Sequence, residues 1–228
     1  SYFPEVEDGM INGINSREMI LEILLEIEEG EHSHVAIRNA LSKYQFLPKQ
    51  DRAFITRVCE GTLEYRIQID YIINSFSKVT VDKMKPAIRE ILRSAVYQLK
   101  YMDSVPDSAV CNEAVKLAQR KGFYNLKPFV NGVLRTIARE MDQVRFPQKE
   151  DDLLKYLSVK YSMPEVLVTR WLEAYGEETT EKILADFLTE HPLTIRCRTY
   201  LNSKEEVIKS LESQGVHVAP APYLPYAY

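Results

Sequence analysis

The sequence predicts a mainly α-helical protein with a small α/β unit at its C-terminal end. Apolar residues recur every three or four positions over most of residues 1–145, which is the spacing of helices with one buried face. Glycine is scarce, at 8 of 228 residues, and several prolines stand where helices can begin. We therefore expect an all-helical first domain over residues 16–146, with strands only after His191.

The first two helices carry recognisable end signals. Asn15 can cap the first helix and Glu18, three positions on, can complete a capping box, while Gly30 ends it. Ser33 is expected to cap the second helix. The inward faces are predicted to hold the apolar residues Ile20, Leu24, Ile27, Val35, Ala36, Ala40 and Leu41.

Prolines open the next helices. Pro48 begins a long helical stretch to Phe76, expected to be two helices, with Gly61 as either a break or a point of close contact. Pro86 begins another helix, and Pro106 begins one that Gly122 ends.

The last helix of the first domain begins near Pro128 and is amphipathic. Its buried stripe is predicted to contain Phe129, Val133 and Ile137. Its opposite face carries Asn131, Arg135 and Arg139 at the same interval of four residues. The helix therefore presents a basic stripe to solvent.

A second unit is expected over residues 147–228, after the basic run ends at Phe146. Short helices are predicted to end near Gly176 and near His191. The run LTIRCRTYL at 193–201 has the composition of a strand, 203–215 that of a helix, and VHVA at 216–219 that of a short strand. This is a partial strand–helix–strand domain.

Charge is unevenly distributed along the chain. Residues 1–32 hold one basic and nine acidic residues, residues 33–146 hold nineteen and eleven, and residues 147–228 hold nine and thirteen. The basic middle segment favours a polyanionic partner, although scattered solvated Lys and Arg would give the same count. Both interpretations stay open at this stage.

Several classes of protein are disfavoured. The three cysteines and four histidines do not share metal-ligand spacing, so we predict no disulfide and no metal site. No run approaches the roughly 20 apolar residues of a membrane span. The acidic N-terminus is unlike a secretory signal, which favours a cytoplasmic protein with no membrane partner.

The segments NEAVKLAQRKG (112–122) and FVNGVLRTIAR (129–139) together resemble the closing helix pair of NusB-type RNA-binding domains. DRAFITRVCEGTLEY (51–65) resembles their central helix. The following LKYLSVKYSMPEVLVTRWLEAYGEETTEKIL and PLTIRCRTYL are similar to the linker and ferredoxin-like region of the Sun/Fmu (RsmB) rRNA cytosine methyltransferases. The resemblance covers about residues 16–219, and residues 1–15 are interpreted as an extension or tag.

This resemblance implies a full-length enzyme that uses S-adenosylmethionine to methylate carbon 5 of a cytosine in 16S rRNA through a cysteine nucleophile. We expect no catalytic domain and no cofactor site in this chain. No two of its glycines are adjacent or one residue apart, whereas a cofactor loop needs clustered glycines. Cys59 and Cys111 fall in helices on or near apolar faces, as buried structural cysteines do. The family's Arg-x-Asn-Thr strand motif reads Arg196, Cys197, Arg198, Thr199 here, so a role for that asparagine is not inherited.

The candidate ligand is ribosomal RNA, with a ribosomal protein as a further partner and no DNA. Phosphate contact requires Lys and Arg, and two helical pairs four residues apart, Lys116 with Arg120 and Arg135 with Arg139, present cations on one face. Asn112 and Asn131 are expected to be structural. The candidate RNA-binding residues are Arg17, Arg38, Lys116, Arg120, Lys121, Arg135, Arg139, Arg196 and Arg198.

Two alternatives to an RNA-recognition region remain at this stage. One is a NusB-like transcription antitermination or protein–protein interaction module, which the stretch after residue 147 disfavours because free-standing NusB ends there. The other is a chain with complete enzyme activity of its own, which the lack of clustered glycines disfavours.

Overall fold

The computed structural model describes residues 10–11, 14–189, 203–213 and 215–219. Ten α-helices and two short strands lie in this part of the chain, together with three single 3-10 turns. The elements are β1 (Met10–Ile11), β2 (Ile14–Asn15), α1 (Ser16–Glu28), α2 (Ser33–Lys43), α3 (Lys49–Glu64), α4 (Arg66–Phe76), α5 (Pro86–Tyr101), α6 (Asp107–Arg120), α7 (Lys127–Glu140), α8 (Leu153–Tyr161), α9 (Glu165–Phe187) and α10 (Lys204–Ser213).

The expectation that strands appear only after His191 is wrong. β1 and β2 form an antiparallel pair in which Met10 lies opposite Asn15 and Ile11 lies opposite Ile14. Strands of two residues are too short to show an alternating pattern. The signal that was available is the Asn-Gly dipeptide between the two strands, since Asn-Gly is typical of two-residue hairpin turns.

The predicted helices of residues 16–146 are confirmed. The Asn15 side chain caps α1 by accepting a hydrogen bond from the Arg17 backbone N–H at 2.8 Å. The second half of the expected capping box does not form, because Glu18 pairs with cations on α6 instead. At α2 the cap position belongs to His32, and Ser33 is the first helical residue. The long stretch after Pro48 divides at Tyr65, between α3 and α4, and not at Gly61.

Helix α5 forms the centre of the bundle, in contact with α1, α3, α4, α6 and α7. Its Ile88, Ile91, Leu92 and Val96 are almost fully buried. Burial on every side of α5 also encloses polar groups, which need partners inside the protein. Arg93 satisfies this need by binding both carboxylate oxygens of Asp70 on α4, each at 2.7 Å, and Glu90 at 2.6 Å.

Residues 153–184 pack with the bundle. A small second core of Leu157, Val168 and Leu184 joins α8 to α9, and α8 lies against α4. Gly176, with φ 74° and ψ 177°, kinks α9 where a helix end was predicted. The chain divides into two compact units, Ser1–Leu184 and Ala185–Tyr228, and the functional boundary expected near residue 147 stays a prediction.

The predicted helix at 203–215 is confirmed as α10. Ser203 and Glu206 form a reciprocal capping box at its start, with hydrogen bonds of 2.9 and 3.3 Å. The first predicted strand, 193–201, lies outside the described residues, and residues 216–219 have no regular secondary structure. The strand–helix–strand arrangement is therefore confirmed only in its helix.

Candidate functional site

The basic face of α7 is organised around Arg135. Its guanidinium donates to the side-chain oxygen of Asn112 on α6 at 3.0 Å and to that of Asn131, one turn earlier on α7, at 3.2 Å. Both asparagines thus have a structural role, but their partner is an arginine and not the backbone. The two bonds hold an exposed cation in one orientation across the α6–α7 pair.

The cations of α6 and its C-terminal end differ in the number and distance of the carboxylates beside them. Lys116 pairs at 2.8 Å with Glu113, one turn before it, while its own side chain stays 52% exposed. Lys121 lies between Glu18 and Glu22 of α1, at 3.6 and 3.2 Å, and Arg120 is 3.9 Å from Glu18. The acidic side of α1 therefore offsets the charge at the C-terminal end of α6.

The remaining predicted cations are spread over the surface. Arg139 is 68% exposed and pairs only with the adjacent Glu140, at 2.8 Å, as far as the described residues extend. Arg38 is exposed on α2, a helix that packs against α1 and α3. Arg196 and Arg198 lie outside the described residues.

Arg17 stands beside a surface cleft where the N-terminal ends of α1, α3 and α6 approach one another. The cleft encloses about 360 Å³, and its wall is formed by Asn15, Ser16, Arg17, Gln50, Asp51, Phe54, Ala109 and Glu113. The Arg17 guanidinium lies over the Phe54 ring, 5.3 Å from its centroid, which is a cation–π contact. Burial lowers the pKa of Arg17, and the nearby Glu113 charge opposes this shift only in part.

Glu113 links this cleft to the α6–α7 surface. Burial tends to raise its pKa, but hydrogen bonds from Lys116 and Asn15 together with the Arg17 charge outweigh burial, so the net pKa is lowered. An ionised Glu113 thus pairs with Lys116 and attracts the Arg17 charge. We name the region formed by the exposed Lys116, Arg135 and Asn112 and the partly buried Arg17 the basic surface.

The sequence predicted the cations of this region but not its cleft. Asp51, Phe54 and Gln50 come from the first turns of α3, far from Arg17 along the chain. One sequence signal for the cleft was available. Asn15 was predicted to cap α1, and the first backbone N–H groups of a helix need partners from outside the helix. Its contact with Glu113, at 3.4 Å, could not be predicted from local spacing.

The described residues do not fit a methyl-transfer centre. Burial raises the pKa of the Cys59 thiol, and burial also raises that of Cys111, so neither resembles an activated nucleophile. Among the described glycines, Gly30 and Gly122 follow helix ends and Gly176 kinks a helix. No three potential ligands gather into a metal site within the described ranges, and none of the helices described there is long and apolar enough to cross a membrane.

Comparison with known families divides the chain in two. Residues 14–139 match the NusB family, and residues 163–228 match the ferredoxin-like domain of RsmF/B-like methyltransferases. A probable ribosomal RNA small subunit methyltransferase B of Bacillus subtilis is 32% identical over 202 residues, which is 89% of this chain and 44% of that relative. The chain thus spans less than half the length of this relative.

Two further comparisons concern the NusB-like part and the fold. The transcription antitermination protein NusB of Dictyoglomus thermophilum is 33% identical over 130 residues, covering 57% of this chain and 85% of that protein. The crystal structure of PH0851 superposes with a TM-score of 0.67 at 23% identity, over 94% of this chain and 48% of that one. This likeness establishes a shared fold.

Proposed function

The chain belongs to the NusB family, and from that premise we propose that it is the RNA-recognition region of a small-subunit ribosomal RNA methyltransferase. The observation that carries the proposal is the order of the two matched regions, a NusB region followed by an RsmF/B-like ferredoxin-like domain. The relatedness to methyltransferase B over 89% of the chain supports the same conclusion.

In this proposal the basic surface contacts phosphates of the RNA. Arg135 is held in place by Asn112 and Asn131, and therefore loses little side-chain entropy when it binds an anion. Lys116 and Arg139 add exposed positive charge on the same helix pair. Arg38, Arg120, Lys121, Arg196 and Arg198 are proposed as secondary contacts.

The longer protein is proposed to act in the cytoplasm as an S-adenosylmethionine-dependent cytosine-C5 methyltransferase. In that arrangement residues 16–146 bind RNA, and residues 147–228 are a linker followed by the start of a small α/β RNA-binding domain. A catalytic domain outside this chain would supply the cofactor site and the cysteine nucleophile. Sequencing the gene beyond Tyr228 tests this, because the proposal requires a glycine-rich cofactor loop and a Pro-Cys or Thr-Cys motif there.

The test of RNA recognition replaces Arg135 and Arg139 together with alanine. Loss of one or two phosphate contacts should weaken binding of a 16S rRNA hairpin and lower the slope of log affinity against log salt by roughly 1–2 units, at about 0.7–0.9 per contact. The fold should survive, because both side chains are exposed on the face opposite the buried Val133 and Ile137.

A matched control replaces Lys78 and Lys83, two exposed cations on the α4–α5 connection, with alanine. It removes the same charge without touching α6 or α7, so its salt slope should stay near that of the wild type. A slope unchanged by the double arginine substitution would end the case for this helix pair as the RNA face. Lost thermal stability with unchanged affinity would assign Arg135 a structural role only.

A second candidate is a NusB-like antitermination or protein-interaction module. The match to 85% of the Dictyoglomus thermophilum NusB favours it. The two proposals differ in what residues 153–184 do, because these residues cover part of α4 and lie beyond the NusB match. Binding of the chain to a ribosomal protein in pull-down experiments, with no affinity for rRNA hairpins, would favour the second candidate.

A further inference from the structure

Two buried side-chain atoms on the facing helices α1 and α5 have no hydrogen-bond partner within the described part of the chain. They are Nε of Arg17, on α1, and Oε1 of Gln98, on α5. The Gln98 side chain is only 3% exposed, and its amide nitrogen donates to the Ser94 carbonyl at 3.0 Å. A buried donor or acceptor without a partner is destabilising, so a pair of them needs an explanation.

Both side chains line the same small cavity. It encloses about 10 Å³ between α1, α5 and α6. That volume is about the room needed for one water molecule, which in a protein interior usually makes two to four hydrogen bonds. The third polar side chain in the lining is Ser94, whose hydroxyl donates to the Ile91 carbonyl and leaves its oxygen able to accept.

We propose that this cavity is a site for one ordered water that joins Gln98 to Arg17. The water accepts from the Arg17 Nε–H and donates to Gln98 Oε1, and the Ser94 hydroxyl oxygen can accept its second hydrogen. One unpaired donor and one unpaired acceptor beside a water-sized space fit a bridging water and no larger ligand. The remaining lining residues are apolar and offer the water no other side-chain partner.

Gln98 is thereby a positioning residue for Arg17. Arg17 lines both this cavity and the 360 Å³ cleft, so its side chain lies next to both spaces. The water holds the Nε edge inward, Phe54 supports one flat side, and the terminal amino groups remain for a ligand in the cleft. This last step rests on the proposed function, in which the ligand is RNA.

The water site itself is tested on the intact chain in two ways. A high-resolution experimental structure should contain a water within hydrogen-bonding distance of both Arg17 Nε and Gln98 Oε1; a dry cavity or a direct Arg17–Gln98 bond would overturn the site. In solution, the Arg17 Nε–H should give a nitrogen–proton NMR signal whose exchange with solvent is slowed. Gln98→Met, which keeps the side-chain length but removes the acceptor, should speed that exchange at least tenfold.

Ile88→Val is the matched control, because Ile88 is buried on α5 but does not line the cavity. It should leave the Arg17 Nε–H exchange unchanged. An unchanged signal in Gln98→Met, or equal loss in both variants, would contradict a specific role of Gln98.

Positioning is tested through RNA affinity in a double-mutant cycle. Gln98→Met should weaken binding of a 16S rRNA hairpin about three- to tenfold when Arg17 is present, and should have no effect in an Arg17→Ala background. Equal weakening in both backgrounds would overturn positioning. If the wild type binds no rRNA, the proposed function fails instead, and the Nε–H exchange alone still decides the water site.

Discussion

At the scale of single residues, Tyr97 leaves no room for a side chain at position 61, although the two residues are far apart in the sequence. A β-carbon at this position would overlap the end of the Tyr97 ring. Tyr97 cannot easily give way, because its ring lies close to the rings of Tyr65 and Tyr101, at centroid distances of 6.4 and 5.4 Å. Of the two roles expected for Gly61, break or close contact, the second is confirmed, since α3 continues through it to Glu64.

We expect Gly61→Ala to lower the free energy of unfolding by about 1–3 kcal/mol, the usual cost of overpacking a core. Urea unfolding at neutral pH measures it. The matched control is Gly132→Ala, also within a helix, where nothing lies within 4 Å of the new β-carbon. That control should be neutral or stabilise by about 0.4–1 kcal/mol. Similar effects of the two substitutions would show that the Tyr97 contact is unimportant.

At the scale of elements, Ser162 at the end of α8 caps the start of α4 and so joins the two helices. Ser162, at the end of α8, has φ 51° and ψ 47°, a left-handed conformation that non-glycine residues rarely adopt. In this position its hydroxyl oxygen accepts from the backbone N–H groups of Ile67 and Gln68 at 3.2 and 3.5 Å. The Gln68 amide returns the contact by donating to the carbonyls of Val159 and Lys160, both at 3.3 Å. The junction therefore satisfies polar groups of both helices.

We expect Ser162→Ala to lower the free energy of unfolding by about 1 kcal/mol, because it removes the cap and keeps the left-handed backbone. Ser162→Gly also removes the cap but relieves the backbone, so it should cost less than the alanine variant. Chemical unfolding of the three proteins side by side measures both effects. An alanine variant as stable as the wild type would contradict the capping role.

At the scale of the whole first unit, some acidic residues of the N-terminal segment form ion pairs with basic residues of the middle segment. Glu28 on α1 forms an ion pair with Arg89 on α5. Glu18 and Glu22 lie beside Lys121 at the end of α6. The acidic N-terminal segment thus folds onto the basic middle segment, and the cations left for a polyanion are fewer than the net charge suggested.

Glu18→Gln combined with Glu22→Gln should therefore release Arg120 and Lys121 toward solvent. Under the proposed function, rRNA hairpin affinity should rise severalfold, and the salt slope should steepen by about 0.7–0.9 for each new phosphate contact. Hairpin titrations at several salt concentrations measure this. Glu165→Gln with Glu173→Gln changes the net charge equally on exposed positions of α9. Equal gains in both variants would indicate a general charge effect without local release.

The sequence by itself determined the helices of the first domain, because their signals are local. The Asn15 cap, Pro86 and Gly122 each act within about one helical turn, and apolar spacing identifies the buried face of each helix. The Asn-Gly dipeptide between β1 and β2 is typical of hairpin sequences, but the two strands are too short for pattern analysis. The cations of the candidate site were found as residue types in the same way.

Only the tertiary structure decided which partners these residues have. Asn15 meets Glu113, 98 positions later, and Gln68 meets Ser162, 94 positions later. Arg17 and Gln98 line the same cavity. Lys121 pairs with Glu22 of α1, whereas Arg135 is bound by two asparagines. Such pairings arise when helices bury their apolar stripes against one another, and the polar groups that this packing brings together then need partners. Spacing along the chain does not encode that packing, because it depends on how all the stripes fit at once.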